Sequence, residues 1–245
     1  MNPYKKHIIT FFNRVNELNL YSLHINTQLK NSIDNLSGIT PEQTIMATLT
    51  LIHDWTGNSY ENKPIKNNGE VLKKNVSKKE YSDEVDIILS KYFGYSISQS
   101  FETLETFLKD CLVEKDTSLS RSELYGGNDL FKKVKKTCAS SFKEYSSKNK
   151  AKIPFKEFWT ILSDSRHAFT HTNSKISRKK INKSIIHENI YKIMFNIKEI
   201  DNSTVLLSLD YNLYHNSMNK ISEYTFQFFK MFCKESGYDW KEIYD

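Results

Sequence analysis

Apolar side chains recur at steps of three and four residues near the C-terminal end of this chain. The residues that follow this spacing are Tyr214, Met218, Ile221, Thr225, Phe228 and Phe232. Such spacing places them on one side of a helix, as a seam that faces a core or another helix. The chain has only 7 Gly and 4 Pro in 245 residues, so few positions force a break in a long helix. We therefore predict a mainly α-helical fold.

The same periodicity predicts other helices along the chain. The first carries a row of apolar residues on one face, namely Ile8, Phe11, Phe12, Val15 and Leu18. Later helices are predicted at about 40–55, 80–93, 98–115, 128–145 and 154–170. We expect the helix at 40–55 to begin with Thr40 as its N-cap and Pro41 at its first position. Turns or polar loops are predicted at 126–127 and 146–152.

Two segments lack helical spacing. Residues 57–79 are polar and contain Gly and Pro without a period, which predicts a loop or linker. This boundary would separate an N-terminal helical subdomain or extension, residues 1–75, from a helical domain, residues 80–245. In residues 190–211, apolar and polar side chains alternate on either side of a short polar turn. That alternation predicts a β-hairpin inserted between helices.

The cysteines and the hydropathy of the chain bear on where the protein works. Cys111, Cys138 and Cys233 are far apart, odd in number and form no Cys-x-x-Cys pair. This usage fits buried thiols in a reducing compartment. No stretch approaches the roughly 18 consecutive apolar residues that a membrane span needs, and the N-terminus shows no signal-peptide pattern. We expect a soluble, cytoplasmic protein that does not act with a membrane.

Positive charge is concentrated in the middle of the chain. Residues 130–183 contain 15 Lys and Arg against three acids, a net charge of +12, whereas the whole chain carries +6. A basic middle between acidic ends is expected of a protein that binds a phosphate-rich partner. A lysine-rich solvated surface would have the same composition, so charge alone leaves both interpretations open.

The predicted helix at 154–170 places an arginine among apolar side chains. At about 100° per residue, Arg166 shares one face with Phe155, Phe158, Trp159, Leu162 and Phe169. A guanidinium there is costly to bury unless it pairs with a carboxylate or opens on a cleft, where its planar fork can grip a phosphate. His171 lies five residues on, roughly 140° away. The two side chains can meet at one phosphate only if the helix ends or distorts near Thr170, or if two subunits cooperate across a two-fold interface.

The segment Arg166-His167-Ala168-Phe169-Thr170-His171 resembles the Arg-x(4–6)-His signature of HEPN domains. The residues that follow, Thr172–Ile176, resemble the polar stretch that often comes after the family's histidine. Upstream, Ser100–Asp110 resembles an earlier family helix that often carries an acidic residue. The resemblance covers roughly residues 80–235. Ser165 stands where some branches of the family have an acidic residue or a lysine directly before the arginine.

The resemblance implies an antiparallel bundle of helices, with the hairpin at 190–211 as an insertion and residues 1–75 outside the shared region. Family members form homodimers in which two Arg/His motifs face each other in one cleft, and many cut RNA without a metal ion or other cofactor. By analogy alone, the resemblance also implies a toxin or defence effector that an inhibitory, antitoxin-like protein restrains.

Residue roles follow from the same resemblance. His171 would transfer protons, as histidine can near neutral pH, and Arg166 would stabilise the charge of the transition state. His167 would orient His171, and Asn173 would donate a hydrogen bond to the phosphate. Glu102 or Glu105 would pair with Arg166. The residues expected to bind the RNA backbone are Lys175, Arg178, Lys179, Lys180 and Lys183.

Three other interpretations use the same residues. A non-catalytic HEPN module that binds nucleotide or RNA, or scaffolds a complex, would tolerate a motif covered by salt bridges. A plain helical interaction protein would hold Arg166 and His171 apart without a shared cleft. A metal site is the third, because Asp164, His167 and His171 fall on one helical face at a spacing that could hold zinc, although no His-Glu-x-x-His pattern or cysteine pair accompanies them. Catalysis requires that Arg166 and His171 converge on an open basic cleft, within or between subunits.

Overall fold

The computed structural model describes residues 2–49, 51–56, 59–146, 148 and 153–244. Most of these residues lie in helices, which confirms the prediction of a mainly α-helical fold. The helices are α1 (Lys5–Asp34), α2 (Lys78–Lys115), α3 (Gly127–Thr137), α4 (Ala139–Tyr145), α5 (Phe155–His171), α6 (Arg178–Ile181), α7 (Ile185–Met194) and α8 (Tyr211–Glu235). The strands are β1 (Thr44–Leu49), β2 (Leu51–Thr56), β3 (Ser59–Pro64), β4 (Lys66–Asn67), β5 (Glu70–Val71), β6 (Lys73–Ser77), β7 (Lys175–Ser177), β8 (Asn196–Glu199) and β9 (Thr204–Ser208). Among the described helices, none is both long and apolar enough to cross a membrane.

The chain forms two compact units, one made of Met1–Ile25 with Leu89–Asp245 and the other of Asn26–Ile88. This division differs from the predicted boundary at about 75–80. The difference arises because the first part of α1 buries its apolar face in the larger unit, as a hydrophobic stripe of that length must. The buried residues of α1 are Ile8, Phe11, Val15, Leu18 and Ser22.

Helices α5 and α8 form the centre of the larger unit. All six residues predicted as the seam of the last helix are buried. The rings of Phe158 and Tyr224 stack with centroids 3.8 Å apart, and those of Phe155 and Phe228 stack at 4.2 Å. The helix predicted at 154–170 is confirmed, since α5 spans Phe155–His171. Pro154 precedes it in extended backbone.

Helix α2 is continuous over 38 residues, whereas the sequence predicted two helices at 80–93 and 98–115. Gly94 lies between the two predicted helices, and α2 passes through it without a break. A Cβ atom at this position would lie 2.2 Å from Cδ1 of Phe169. Gly94 is therefore a point of close approach between α2 and α5, where any larger residue would collide with the ring.

The helix predicted at 40–55 is wrong, because this segment forms β1 and β2. β1 pairs with β6 and β2 pairs with β3, both as antiparallel ladders. The backbone carbonyls of Pro41 and Gln43 accept hydrogen bonds from the N–H groups of Lys79 and Lys78, each 3.0 Å long. In the predicted helix, these carbonyls would accept hydrogen bonds from N–H groups one turn further along. Here they accept from Lys78 and Lys79 instead, and this long-range pairing replaces the helix.

Residues 57–79, predicted as a loop or linker, contain β3, β4, β5 and β6; residues 57 and 58 lie outside the described part. β4 and β5 pair with each other in a short hairpin. In β6 only Val76 is buried, and the three residues before it are exposed. Because β4, β5 and β6 have almost no buried side chains, their side chains show no alternation that the sequence could reveal.

The hairpin predicted at 190–211 is present in a shorter form, in which β8 pairs with β9. Its turn is held by the Asp201 carboxylate, which accepts hydrogen bonds from the N–H groups of Ser203 (2.7 Å) and Thr204 (2.8 Å). Residues 190–194 belong to α7 instead, because the buried residues of that helix also follow helical spacing. They are His187, Ile190, Tyr191 and Met194. β7 adds a third strand, and the order in the sheet is β7-β9-β8.

The helix predicted at 128–145 consists of two helices, α3 and α4, which meet at Cys138. Gly126 precedes α3 as its N-cap. Most of the polar loop predicted at 146–152 lies outside the described residues.

The three thiols are free and buried, as the sequence predicted. Burial disfavours the charged thiolate and raises the pKa of Cys138 to about 12 and that of Cys233 to about 11. These side chains therefore behave as small apolar residues of the core near neutral pH.

We predict that Gly94→Ala destabilises the protein by about 1–3 kcal/mol, the usual cost of an overpacked core. Denaturant unfolding should show a lower midpoint than for wild type. Gly38→Ala is the control, because a Cβ at Gly38 meets no atom within 4 Å. Shortening the ring side chain in the double variant Gly94→Ala/Phe169→Leu should restore part of the loss. Equal stability of Gly94→Ala and wild type would show that α2 and α5 do not meet here.

Candidate functional site

Arg166 lies on α5 and faces two carboxylates of α2. Its Nη2 is 2.9 Å from Oε1 of Glu102, and its Nη1 is 3.0 Å from Oε2 of Glu105. The two glutamates are three residues apart, so they lie on the same face of α2. The sequence offered Glu102 or Glu105 as the partner of Arg166, and the structure brings both to it. The side chain of Arg166 as a whole remains 37% exposed.

Glu105 is held from its other side by the turn that begins α3. Its side chain is only 10% exposed, and Oε1 accepts a hydrogen bond from the backbone N–H of Gly127. A carboxylate at the N-terminus of a helix is also favoured by the helix dipole. The two oxygens of Glu105 therefore each have a donor, one from α3 and one from Arg166.

The glycine pair before α3 has a role that the sequence did not reveal. Gly127 has φ of +65°, a left-handed conformation that glycine adopts without strain. A Cβ atom at Gly126 would lie 2.9 Å from Oε1 of Glu105. Both glycines are thus needed for the backbone to approach the buried carboxylate. The sequence marked them only as a turn.

His171 is the last residue of α5, and the helix is regular up to it. Five residues at about 100° each separate the directions of Arg166 and His171 by about 140°. The helix ends one residue after Thr170, at His171, and no distortion before that point turns His171 towards Arg166. His171 instead shares its side of the helix with His167, with ring centroids 5.2 Å apart, and both residues are exposed.

The turn after α5 places Asn173 beside the end of the helix. Asn173 and Ser174 have φ of +53° and +67°, and asparagine tolerates this left-handed conformation better than most residues. The N–H of Ser174 donates to the carbonyl of Ala168 over 2.8 Å, and its own carbonyl accepts from Leu207 over 2.9 Å. The turn is thereby tied both to α5 and to the sheet, while Asn173 remains exposed.

The predicted basic residues divide into two groups. Arg178 pairs with Glu199 at 3.0 Å, and Lys180 pairs with Asp164 at 2.6 Å. The other three have no ion pair within the described part of the chain and are exposed; they are Lys175, Lys179 and Lys183. Of the five predicted basic residues, these three have a positive charge that no acidic side chain in the described part of the chain pairs with.

The metal site considered from the sequence does not form. Among the described residues, no group of three His, Cys, Asp or Glu side chains lies close enough together to hold a metal ion. This includes Asp164, His167 and His171, since the Asp164 carboxylate is bound to Lys180.

A cleft of about 490 Å³ opens between α6, α7 and the β8–β9 hairpin. Arg178, Asn182, Lys192 and Glu199 are among its lining residues. Arg166 is not, so the cleft is separate from the arginine–glutamate cluster. His187 of α7 is buried, and burial lowers its pKa.

Comparison with models of known protein families, with curated proteins and with solved structures gives no match. The chemistry available at this site is that of the arginine–glutamate cluster, the two exposed histidines and the three lysines without an ion pair.

We predict that Gly126→Ala destabilises the protein by about 1 kcal/mol or more, because the new Cβ must displace the Glu105 carboxylate. Denaturant unfolding measures the change. A double-mutant cycle with Glu105→Ala provides the control, because two residues in contact show a coupling that distant residues do not. The cost of Gly126→Ala should disappear once the Glu105 carboxylate is absent. If the cost persists in that background, the glycine serves the turn alone.

Proposed function

We propose that this protein is a metal-independent endoribonuclease that acts as a homodimer. The observation that carries this proposal is the environment of Arg166: two carboxylates fix its guanidinium, yet 37% of the side chain remains exposed. A charged group that is held in place and open to solvent is prepared to stabilise a phosphate as charge develops on it. The exposed histidines at the end of α5 and the three unpaired lysines after it supply the other groups that RNA cleavage needs.

The proposed reaction is a transfer within the RNA backbone. The ribose 2′-oxygen attacks the adjacent phosphorus as its proton passes to a base, and the bond to the 5′-oxygen breaks as that oxygen receives a proton. The products are a 2′,3′-cyclic phosphate and a 5′-hydroxyl. His171 can serve as the base or the acid, because histidine changes charge near neutral pH. Arg166 would stabilise the pentavalent phosphorane, whose additional negative charge forms in the transition state.

The directions of the two side chains support a dimer in this proposal. Arg166 and His171 of one copy diverge by about 140° on a regular helix, so they do not reach one phosphate from the same chain. A two-fold axis that brings two α5 helices together would place Arg166 of one copy near His171 of the other. Asn173 and the unpaired lysines would line the edges of such a cleft and bind the neighbouring phosphates.

A second candidate function rests on the same ion pairs. Both Nη atoms of Arg166 are already occupied by carboxylates, which weakens its attraction for a phosphate. A non-catalytic HEPN-type module that binds nucleotide or RNA, or scaffolds a complex, would tolerate that arrangement. Cleavage assays separate the two functions, since only the ribonuclease loses an activity when His171 is removed.

The resemblance to HEPN domains extends the proposal to biology. By analogy, the enzyme would act in the cytoplasm as a toxin or defence effector, and an inhibitory, antitoxin-like protein would bind it. That partner would have to cover the basic stretch or the histidines to prevent RNA from binding.

We predict that the wild-type protein cleaves a generic labelled RNA in EDTA, and that Arg166→Ala and His171→Ala each reduce the rate at least about 100-fold, as expected for loss of a proton-transfer or charge-stabilising group. The new ends should carry 2′,3′-cyclic phosphate. His24→Ala, which removes an exposed histidine of α1, should leave the rate unchanged.

Two results would contradict this proposal. Cleavage that is absent in EDTA and returns with zinc or manganese would favour a metal-dependent mechanism. RNA that binds but stays intact under both conditions would favour the non-catalytic module.

We further predict that two inactive variants complement each other. In an equimolar mixture of Arg166→Ala and His171→Ala, about half of the dimers contain one of each, and each of these has one site with both residues intact. The mixture should therefore recover about one quarter of the wild-type rate. A mixture that stays inactive, although exchange of subunits is shown by labelling, would mean that Arg166 and His171 do not combine across the interface.

A further inference from the structure

We infer that the two carboxylates on Arg166 act differently towards RNA: Glu105 is a permanent positioning residue, and Glu102 is a competitor that the RNA phosphate displaces. This inference rests on the proposed function, since it describes how the same arginine becomes available to a phosphate. It assigns opposite effects to two glutamates that lie three residues apart on one helix.

Glu105 is fixed by its surroundings. Its side chain is 10% exposed, Oε2 binds Nη1 of Arg166, and Oε1 accepts the N–H of Gly127. The backbone of Gly126 lies against the same oxygen, closely enough that a Cβ would be only 2.9 Å away. Rotation of this carboxylate would leave the part-buried N–H of Gly127 and Nη1 of Arg166 without an acceptor, which is costly.

Glu102 has none of these restraints. Its side chain is 41% exposed, and its other contact is a 3.2 Å hydrogen bond from the exposed Nε2 of Gln99. Water can replace both partners when the side chain rotates away. Exposed ion pairs of this kind contribute little to stability, so the Glu102–Arg166 contact opens at small cost.

The charges require one carboxylate to leave. Arg166 carries +1 between two groups of −1, so the cluster repels an incoming phosphate as a whole. Glu102 occupies Nη2, on the exposed side of the cluster, whereas Glu105 occupies Nη1 on the buried side. A phosphate that takes the place of Glu102 accepts a hydrogen bond from Nη2 of Arg166. The Glu102 carboxylate then no longer lies against the phosphate, so its repulsion is reduced. Glu105 continues to orient the guanidinium throughout.

Replacing each glutamate with glutamine tests this difference, because the side chain keeps its size and loses its charge. At position 102, the amide is a weaker competitor for Nη2, and affinity for RNA should rise about 2- to 5-fold, the range that one exposed ion pair allows. At position 105, the amide has only one acceptor oxygen for two donors, so the guanidinium loses its orientation. RNA should then bind no more tightly than to wild type, and kcat should fall about 10-fold or more.

The measurement is the Kd of a 2′-O-methyl RNA oligonucleotide, which cannot be cleaved, for wild type, Glu102→Gln and Glu105→Gln. Glu17→Gln is the matched control, because Glu17 forms an exposed 2.9 Å pair with Arg14 on α1; its Kd should equal that of wild type. The gain from Glu102→Gln should vanish in an Arg166→Ala background. A gain that persists there would reflect general loss of negative charge and would overturn the displacement.

The outcome distinguishes this inference from the proposed function. If wild type binds RNA without cutting it, the ribonuclease proposal fails, and the Kd values still decide whether Glu102 competes for Arg166. If wild type cuts RNA and Glu102→Gln binds no more tightly, the inference alone is overturned. If neither wild type nor Glu102→Gln binds RNA, both are overturned. For Glu105→Gln, a denaturant midpoint like that of wild type, with kcat reduced and KM little changed, separates positioning from loss of fold.

Discussion

The contact between α2 and α5 determines the geometry of the candidate site. Gly94 removes the side chain that would keep the two helices apart at Phe169, and Phe101 packs on Trp159 with ring centroids 4.8 Å apart. Gly94 and Glu105 are eleven residues apart, about three helical turns, so they lie on the same face of α2. The close packing at the apolar end therefore brings the acidic residues of α2 to Arg166. Without it, the guanidinium would lie on an apolar stripe with no charge to pair with, at considerable cost.

The parts of the fold that local periodicity specifies could be predicted from the sequence. α8 has a seam that repeats over about five turns, and α5 follows a proline that is well suited to the start of a helix. The segment at 44–77 could not be predicted in this way. β1 is held by hydrogen bonds to β6, far along the chain, and most of the side chains in β6 are exposed. The local hairpins β2–β3 and β4–β5 lie between these two strands. Even the capping pattern at Thr40 and Pro41 was misleading, because α2 takes up the carbonyls that a helix would need.

The candidate site was predictable only in part. An arginine on an apolar face requires an acidic partner, and Glu102 and Glu105 were the carboxylates of the neighbouring predicted helix. The role of Gly126 and Gly127 was not predictable, because it depends on where α3 begins in space relative to α2. The relation between Arg166 and His171 was posed correctly by the sequence as an angle of about 140°. The helix is regular from Arg166 to His171, so both residues would act on one phosphate only in the proposed two-fold arrangement.

The ion pairs of Arg166 with Glu102 and Glu105 bear on both candidate functions. The free energies of the two pairs determine which one an RNA phosphate would replace. The carboxylate of the Arg166–Glu105 pair is only 10% exposed and also accepts from Gly127, so this pair is costlier to open than the exposed Arg166–Glu102 pair, which is worth about 0.2–1 kcal/mol. A hydrogen bond between charged groups contributes about 1.5–3 kcal/mol, so a phosphate contact can exceed the energy of the exposed pair. An RNA strand held by the lysines after α5 would therefore displace Glu102 and leave Glu105 in place. Both Nη atoms of the arginine are paired with carboxylates in the free protein, and one of them would become free for a phosphate in the complex. Ion pairing in the free protein is therefore compatible with catalysis once RNA is bound.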